Sequence, residues 1–227
     1  MRLHQSLARD LGVAILTGVY RPGEGIEGEL GRSEALGVSR TAYREAIRIL
    51  VAKGLLESRP RAGTHVTPRT RWNLLDPDIL AWTFSGEVDE VFIRDLFELR
   101  GIVEPAAAAL AARRRSTKEL AIMERALADM RRHGLATDEG QAADQAFHHA
   151  VLEAAHNDAL ASLASSVGAA VSWTTRFKQR HQPLPRDPLP EHVAVFEAIA
   201  KGDEDKARAT MDELLRFALA DMSIAGD

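Results

Sequence analysis

Apolar residues recur every three to four positions through most of the chain, and that period, with a few capping residues, divides it into elements. Leu7, Leu11, Ala14, Ile15 and Leu16 predict a first helix, closed by the turn Tyr20-Arg-Pro-Gly. A short second helix is predicted over Glu29 to Leu36, stopped by Gly37. Ser39 is placed to N-cap a third, through about Lys53, whose inner side is Ala42, Tyr43, Ala46, Ile47, Leu50 and Val51; Gly54 ends it. The pattern then changes. Leu55 to Arg59 and Thr64 to Pro68 read as two short strands around Arg59-Pro-Arg-Ala-Gly63, a tip made of turn residues and two arginines. Three helices followed by a hairpin predict a winged helix-turn-helix.

Beyond Arg71 the helical period persists. Helices are predicted over 76–84, 88–115, 116–133, 137–156, 157–181, 190–201 and 203–224. Ser116-Thr-Lys-Glu119 is a capping box, and Gly202 followed by Asp203 stops one helix and caps the next. The expected fold is mainly α: a winged helix-turn-helix over residues 1–70 and an all-α antiparallel helical bundle over residues 71–227.

Composition changes this picture in three respects. Cysteine is absent, so no disulfide, thiolate zinc site or thiol nucleophile is available, and a reducing cytoplasm fits. No apolar run reaches the length of a membrane span, so no membrane partner is expected, and the opening Met1-Arg-Leu-His-Gln-Ser does not read as a signal peptide. The net charge of −4 argues against nucleic acid for the whole chain, but it is unevenly spread. Through Arg71 there are 12 Lys and Arg against 7 Asp and Glu; beyond it, 17 against 26. A basic module is joined to an acidic body.

In a helix-turn-helix the second helix of the motif enters the major groove and its N-terminal residues reach base edges or phosphates. Here that end carries Ser39, Arg40, Thr41 and Arg44, with Arg48 one turn on. Arginine forks match the two acceptors of guanine, and hydroxyls at a helix start suit phosphate. Arg59, Arg61 and Gly63 at the hairpin tip are candidates for the adjacent minor groove. A solvated charged helix face is the bland alternative; the basic hairpin immediately downstream weakens it.

Four polar residues lie on otherwise apolar stripes of the later helices. Arg100 sits among Ile93, Leu96, Phe97, Val103 and Ala107; Asp144 and His148 share the stripe of Phe147, Val151 and Leu152; His192 shares a face with Val195, Phe196 and Ile199. A buried arginine keeps its charge and calls for an anion. One carboxylate with two imidazoles suits zinc, nickel, manganese or iron. Together they describe a pocket for a divalent metal and a small carboxylic acid, with a hydrogen-bonded Asp144–His148 pair lacking metal as the alternative. Arg69, Trp173 and Arg176 are further ligand-binding candidates, and His149, His156 and His181 are read as surface or packing histidines.

Tyr20-Arg-Pro-Gly, Glu34-Ala-Leu-Gly-Val-Ser-Arg-Thr-Ala-Tyr-Arg-Glu-Ala-Ile-Arg-Ile-Leu, Lys53-Gly-Leu-Leu-Glu and Arg61-Ala-Gly-Thr-His-Val closely resemble the DNA-binding domain of bacterial GntR-type transcription regulators. Glu98-Leu-Arg-Gly-Ile-Val-Glu104, Asp144-Gln-Ala-Phe-His148, Ala155-His-Asn157 and Glu191-His-Val-Ala-Val-Phe-Glu-Ala-Ile resemble the ligand-binding (FCD) domain of that family's FadR branch. Trp72-Asn-Leu-Leu-Asp-Pro-Asp-Ile-Leu-Ala-Trp82 resembles the subgroup that senses sugar acids. The resemblance implies a homodimer on near-palindromic operator DNA, a repressor released by a small acid, and metal ligands at Asp144, His148 and His192. Two departures stand out. The family's arginine on the second helix falls near Leu30, with Arg32 close by, and its fourth metal ligand, a histidine, falls where this chain has Leu214.

Two histidines and a carboxylate also describe a metal-dependent oxygenase or hydrolase, which is the alternative to a regulator. The lack of strand alternation after Pro68, of a nucleophile triad and of a phosphate loop ranks an enzyme well below a ligand-gated DNA-binding protein, and a plain helical interaction module below both.

Overall fold

The computed structural model describes residues 3–26, 33, 37–59, 62–86, 88–181 and 186–222, those of 178–181 by backbone alone. They form two compact units, Met1–Glu87 and Val88–Asp227. Among them no helix is long and apolar enough to cross a membrane.

In the first unit α1 (Leu3–Leu16) buries Leu7, Leu11 and Ile15, one residue per turn, and ends where Gly18 takes φ 79°. The first strand, β1 (Gly25–Ile26), follows; α2 (Arg40–Ala52) begins at Ser39, whose hydroxyl accepts the Ala42 N–H at 3.2 Å. Tyr43, Ala46 and Leu50 turn inward from α2. At its end Gly54 has φ 77°, and an added Cβ there would lie 2.2 Å from the Arg71 carbonyl oxygen, so glycine is required both by conformation and by space.

Strands β2 (Leu56–Arg59) and β3 (Gly63–Val66) form the expected hairpin, in register from Leu56 opposite Val66 to Arg59 opposite Gly63. The sheet order is β1-β3-β2; β1 adds a third strand that periodicity does not reveal in a two-residue segment containing glycine. The predicted helix over Glu29 to Leu36 lies largely outside the described residues, as do Leu30, Arg32 and Arg61; only Ser33 of that stretch is described, and it is buried.

The units do not divide at the expected 70/71. After a 3-10 turn (Arg69–Arg71), α3 (Pro77–Thr83) turns Ile79 and Trp82 into the same core as Leu11, Leu50 and Leu55, and Trp72 joins them. Trp82 is seated on Gly12, where a Cβ would lie 2.5 Å from the indole ring. Lys53, the C-cap of α2, holds α3 by ion pairs to Asp76 at 2.6 Å and Asp78 at 2.7 Å.

The second unit consists, among the described residues, of α4 (Glu90–Arg114), α5 (Thr117–His133), α6 (Asp138–Ala154), α7 (Asp158–Ala161), α8 (Ala164–His181), α9 (Leu189–Lys201) and α10 (Glu204–Ala220). Helix α4 packs chiefly on α10, and α6 on α5 and α8. The small side chains Ala107, Ala108, Ala111 and Ala112 let neighbouring helices approach α4, and Met123, Phe147, Leu152 and Met211 fill the core. The capping box forms as expected: Ser116 accepts the Glu119 N–H, and Glu119 accepts the Ser116 N–H at 2.7 Å.

The helix predicted over 157–181 is broken into α7 and α8. Asn157 caps the first turn, Ser162 donates its hydroxyl to the Ala159 carbonyl at 2.7 Å, and Leu163 N–H bonds back only three residues, to Leu160. The start of α6 is pinned: a Cβ on Gly140 would lie 1.9 Å from the Gly134 carbonyl oxygen.

Candidate nucleic-acid interface and ligand-binding centre

In the first unit Ser39, Arg40, Thr41, Arg44 and Arg48 are all exposed, and Arg40, Arg44 and Arg48 follow one another at successive turns of α2. Ser39 Oγ is occupied as an acceptor by the helix cap, which leaves its hydroxyl proton to donate outward. Arg48 is tied to Glu45 at 2.8 Å. Arg59 and Gly63 face one another across the base of the hairpin tip, both exposed. Glu57 pairs with Arg59 and, at 2.5 Å, with Arg71; hydrogen bonds from Arg71 and Arg59 hold its carboxyl below the usual range.

In the second unit the inward-facing polar residues come together. A cavity of about 450 Å³, counted with its opening to solvent, is lined by Phe97, Arg100, Asp144, His148, His192 and Leu214, among others. The side chains of Arg100, Asp144, His148 and His192 are nearly inaccessible to water, so each polar atom there must be paired or held for a ligand.

The hydrogen bonds fix the two imidazoles. His192 Nδ1 lies 2.8 Å from the Pro188 carbonyl oxygen, which can only accept, so Nδ1 carries a proton and Nε2 is the nitrogen turned toward the cavity. That Nε2 is 2.9 Å from Asp144 Oδ1, but not in hydrogen-bond alignment, and has no hydrogen-bond partner. His148 Nδ1 donates to Glu104 Oε2, and its Nε2 faces Asp144 Oδ1 at 3.6 Å. Phe147 packs edge-on against both rings, its centroid 5.3 Å from His192 and 5.9 Å from His148.

Two imidazole nitrogens and a carboxylate oxygen thus gather within 4.8 Å of one another, each imidazole oriented through its other nitrogen. This donor set fits a divalent cation, because a cation is the partner that would satisfy all three at once.

Charge is concentrated around this point. Burial pushes the Glu104 carboxyl up, but Arg100 and His148 outweigh it and hold it at about 2. Burial likewise opposes the Asp144 charge, and His192, His148 and Arg100 together bring that carboxyl below its ordinary value. Arg100 Nε donates to Glu104 Oε1 at 2.5 Å, and the guanidinium lies 5.2 Å from the Phe97 ring centre.

Of the three further ligand-binding candidates, two belong to this unit. Arg176 is drawn off by Gln141, at 2.9 Å, and Asp138, at 3.3 Å; it stacks over Trp173, and neither lines the cavity. Arg69 belongs to the first unit, its guanidinium 5.6 Å from the Trp72 ring. In their place stand Thr174 and Thr175, which lie between that pair in the sequence and point to another side of α8, and Arg186, which is bound to Glu191 and Asp221 and stacked on Phe217. Arg186 comes from a proline-rich loop that offers no periodic signal. Glu104 had one: it is four residues from Arg100 on the same buried face. Of the histidines read as structural, His156 pairs with Glu119 at 3.0 Å and His149 faces Glu153; the side chain of His181 lies outside the described residues.

Residues 3–66 match the bacterial regulatory proteins of the gntR family, and residues 95–217 match the FCD domain. The chain belongs to the GntR family. It is similar to the galactonate operon transcriptional repressor of Escherichia coli K12, 37% identical over 87% of this chain and 86% of that protein. It is also similar to the HTH-type regulator YieP of the same organism, 34% identical over 92% of this chain and 91% of that one. Among solved structures, Lar, which controls the agr system of Listeria monocytogenes, has the same fold, with a TM-score of 0.67 at 19% identity, covering 98% of this chain and 97% of Lar. This GntR-family protein is accordingly a transcription regulator with an FCD effector-binding domain, and not an enzyme.

Proposed function

We propose that this GntR-family protein is a cytoplasmic repressor of an operon for the breakdown of a sugar acid or another small carboxylic acid, and that the acid releases it from its operator. The observation that carries this reading is the meeting of Arg100, Asp144, His148 and His192 on one buried cavity. The name of the galactonate repressor supports the sugar-acid class.

Asp144, His148 and His192 would hold a divalent cation, of which zinc, nickel, manganese and iron all suit one oxygen and two nitrogen donors. Bound there, the cation supplies positive charge against which a carboxylate can sit. Arg100 orients the anion, Phe147 holds the imidazole planes, and the burial of all four polar groups keeps competing water away. Leu214 closes with an apolar wall the side from which the family's fourth ligand comes, so part of the coordination sphere is left to the ligand or water.

In the first unit Ser39, Arg40, Thr41, Arg44 and Arg48 read the major groove, while Arg59, Arg61 and Gly63 contact the adjacent minor groove. Two copies of the chain bind half-sites about one helical turn apart. The acid weakens DNA binding by the ratio of its affinities for the DNA-free and DNA-bound states. A mobility-shift assay on DNA flanking the gene, with aldonates, uronates and dicarboxylates added in turn and the purified protein analysed for metal, tests this. Retarded DNA released by one acid is the expected result; specific binding that no such acid relieves overturns the effector class.

A further inference from the structure

The second unit presents an open groove between α5 and α6, about 1280 Å³ counted with its mouth to solvent, which shares no lining residue with the ligand-binding cavity. Its floor is apolar and small, made by Ala142, Ala146 and Ala150 of α6, and Ile122 of α5 stands at its rim 43% exposed.

Charge is sorted between the two sides. The outer face of α5 carries Lys118, Ile122, Arg125 and Arg132 at helical spacing, all exposed, with half-buried Asp129 the acid among them. The outer face of α6 carries Glu139, Ala142, Ala146, His149 and Glu153, again all exposed. The Glu119 carboxyl at the end of the groove is taken up by Ser116 and His156.

The two helices are antiparallel, and contacts at both ends fix their levels. His156, just past α6, pairs with Glu119 at the start of α5 at 3.0 Å, and Gly140 abuts Gly134 at the other end. Lys118 is thus level with Glu153, and Arg132 with Glu139. Lys118 and Glu153 line the groove from opposite rims and make no ion pair with each other; Glu153 is half exposed, with His149 beside it at 3.8 Å.

Such a face is complementary to itself in one arrangement. A two-fold axis running along the groove lays α5 on the partner's α6, so that Lys118 meets the partner's Glu153 and Arg132 meets the partner's Glu139. An axis across the groove would instead set Lys118 against Arg132 and Glu139 against Glu153, like charge on like. In the first arrangement Ile122, four residues in from Lys118, reaches the alanine floor opposite. Each helix has 17 residues and so runs about 25 Å, and two side by side span about 20 Å. That is about 500 Å² on each copy and about 1000 Å² in the pair, which reaches the size a specific interface needs.

We propose that the α5–α6 face is where two copies of this chain pair, about a two-fold axis parallel to the groove. This deepens the operator reading above, which calls for two copies, by naming the surface that joins them. The test uses neither DNA nor acid, so its failure leaves that reading standing.

Sedimentation velocity of the full chain is expected to show a dimer at micromolar concentration. Ile122→Arg should yield monomer with an unchanged far-ultraviolet dichroism spectrum. Lys118→Glu and Glu153→Lys should each weaken the dimer by about 10-fold or more, because each sets like charges together twice in a symmetric pair. The double variant, which rebuilds both pairs with their signs exchanged, should recover most of the loss, and misfolding does not produce such a recovery. A monomeric wild-type chain, which leaves the groove to some other partner, overturns the proposal. So does a dimer that all three substitutions leave unchanged, or a double variant no tighter than the single ones.

Discussion

Lys53 joins the end of α2 to α3, and replacing it by Met isolates the contribution of its charge. Met keeps most of the apolar stem beside Trp82, whose ring centre is 5.5 Å from the ammonium, and removes the ion pairs to Asp76 and Asp78. The Lys53 side chain is 11% exposed, but Asp76 is 20% and Asp78 66% exposed. Breaking a fully buried pair costs about 3–5 kcal/mol, and an exposed pair contributes at most about 1 kcal/mol. Asp78 can return to water, and Asp76 keeps its bonds to the N–H groups of Asp78 and Ile79. The expected loss is therefore about 1–2 kcal/mol, or roughly 4–16 °C in the melting of a unit of this size.

Scanning calorimetry of the full chain should show the transition of the first unit lowered and that of the second unmoved. The pH dependence gives a second check. Burial lowers the Lys53 pKa, but hydrogen bonds to Asp76 and Asp78 outweigh it, so the folded pKa lies above 10.5. A raised lysine pKa contributes stability that is complete below the unfolded value and is lost as pH rises through the folded one. The difference between wild-type and Lys53→Met should thus be constant from neutral pH to about 9 and shrink only above the ordinary lysine range. A first-unit transition within 1 °C of wild-type, or a difference that already disappears near neutral pH, would refute the reasoning.

Gly54→Ala should cost about 2–4 kcal/mol, since it combines a positive φ with backbone overlap at Arg71; chemical unfolding checks it, and a loss below about 0.5 kcal/mol contradicts the close approach. Arg44→Ala should abolish specific operator binding in a mobility-shift assay while leaving acid affinity intact, and equal loss of both would count against separate reading and sensing units. His148→Ala should bind operator but no longer be released by the acid, measured by fluorescence anisotropy; a normal response would remove His148 from the sensing centre.

Helix α2 and the hairpin were legible because Ser39, Gly54 and the period of Tyr43, Ala46 and Leu50 act locally. That Asp144, His148, His192 and Arg100 turn inward was legible too, since a polar residue on an apolar stripe is visible in one helix alone. What escaped depends on which helices meet. The period over 76–84 predicts an apolar face but not its destination, so the boundary moves to Glu87 once Ile79 and Trp82 enter the first core. Glu104 acquires its part only when α6 brings His148 against it. Trp173 and Arg176 point to a different side of α8 from Thr174 and Thr175, their respective neighbours, because one residue sets a side chain about 100° away on a helix.

Gly140 gives the sensing half a fixed reference. The loop at Gly134 and Leu135 passes so close to the start of α6 that no side chain can stand at 140, which seats the helix bearing Asp144 and His148 directly on that loop. A bulkier residue at 140 would lever helix and loop apart and carry both side chains with the displaced helix.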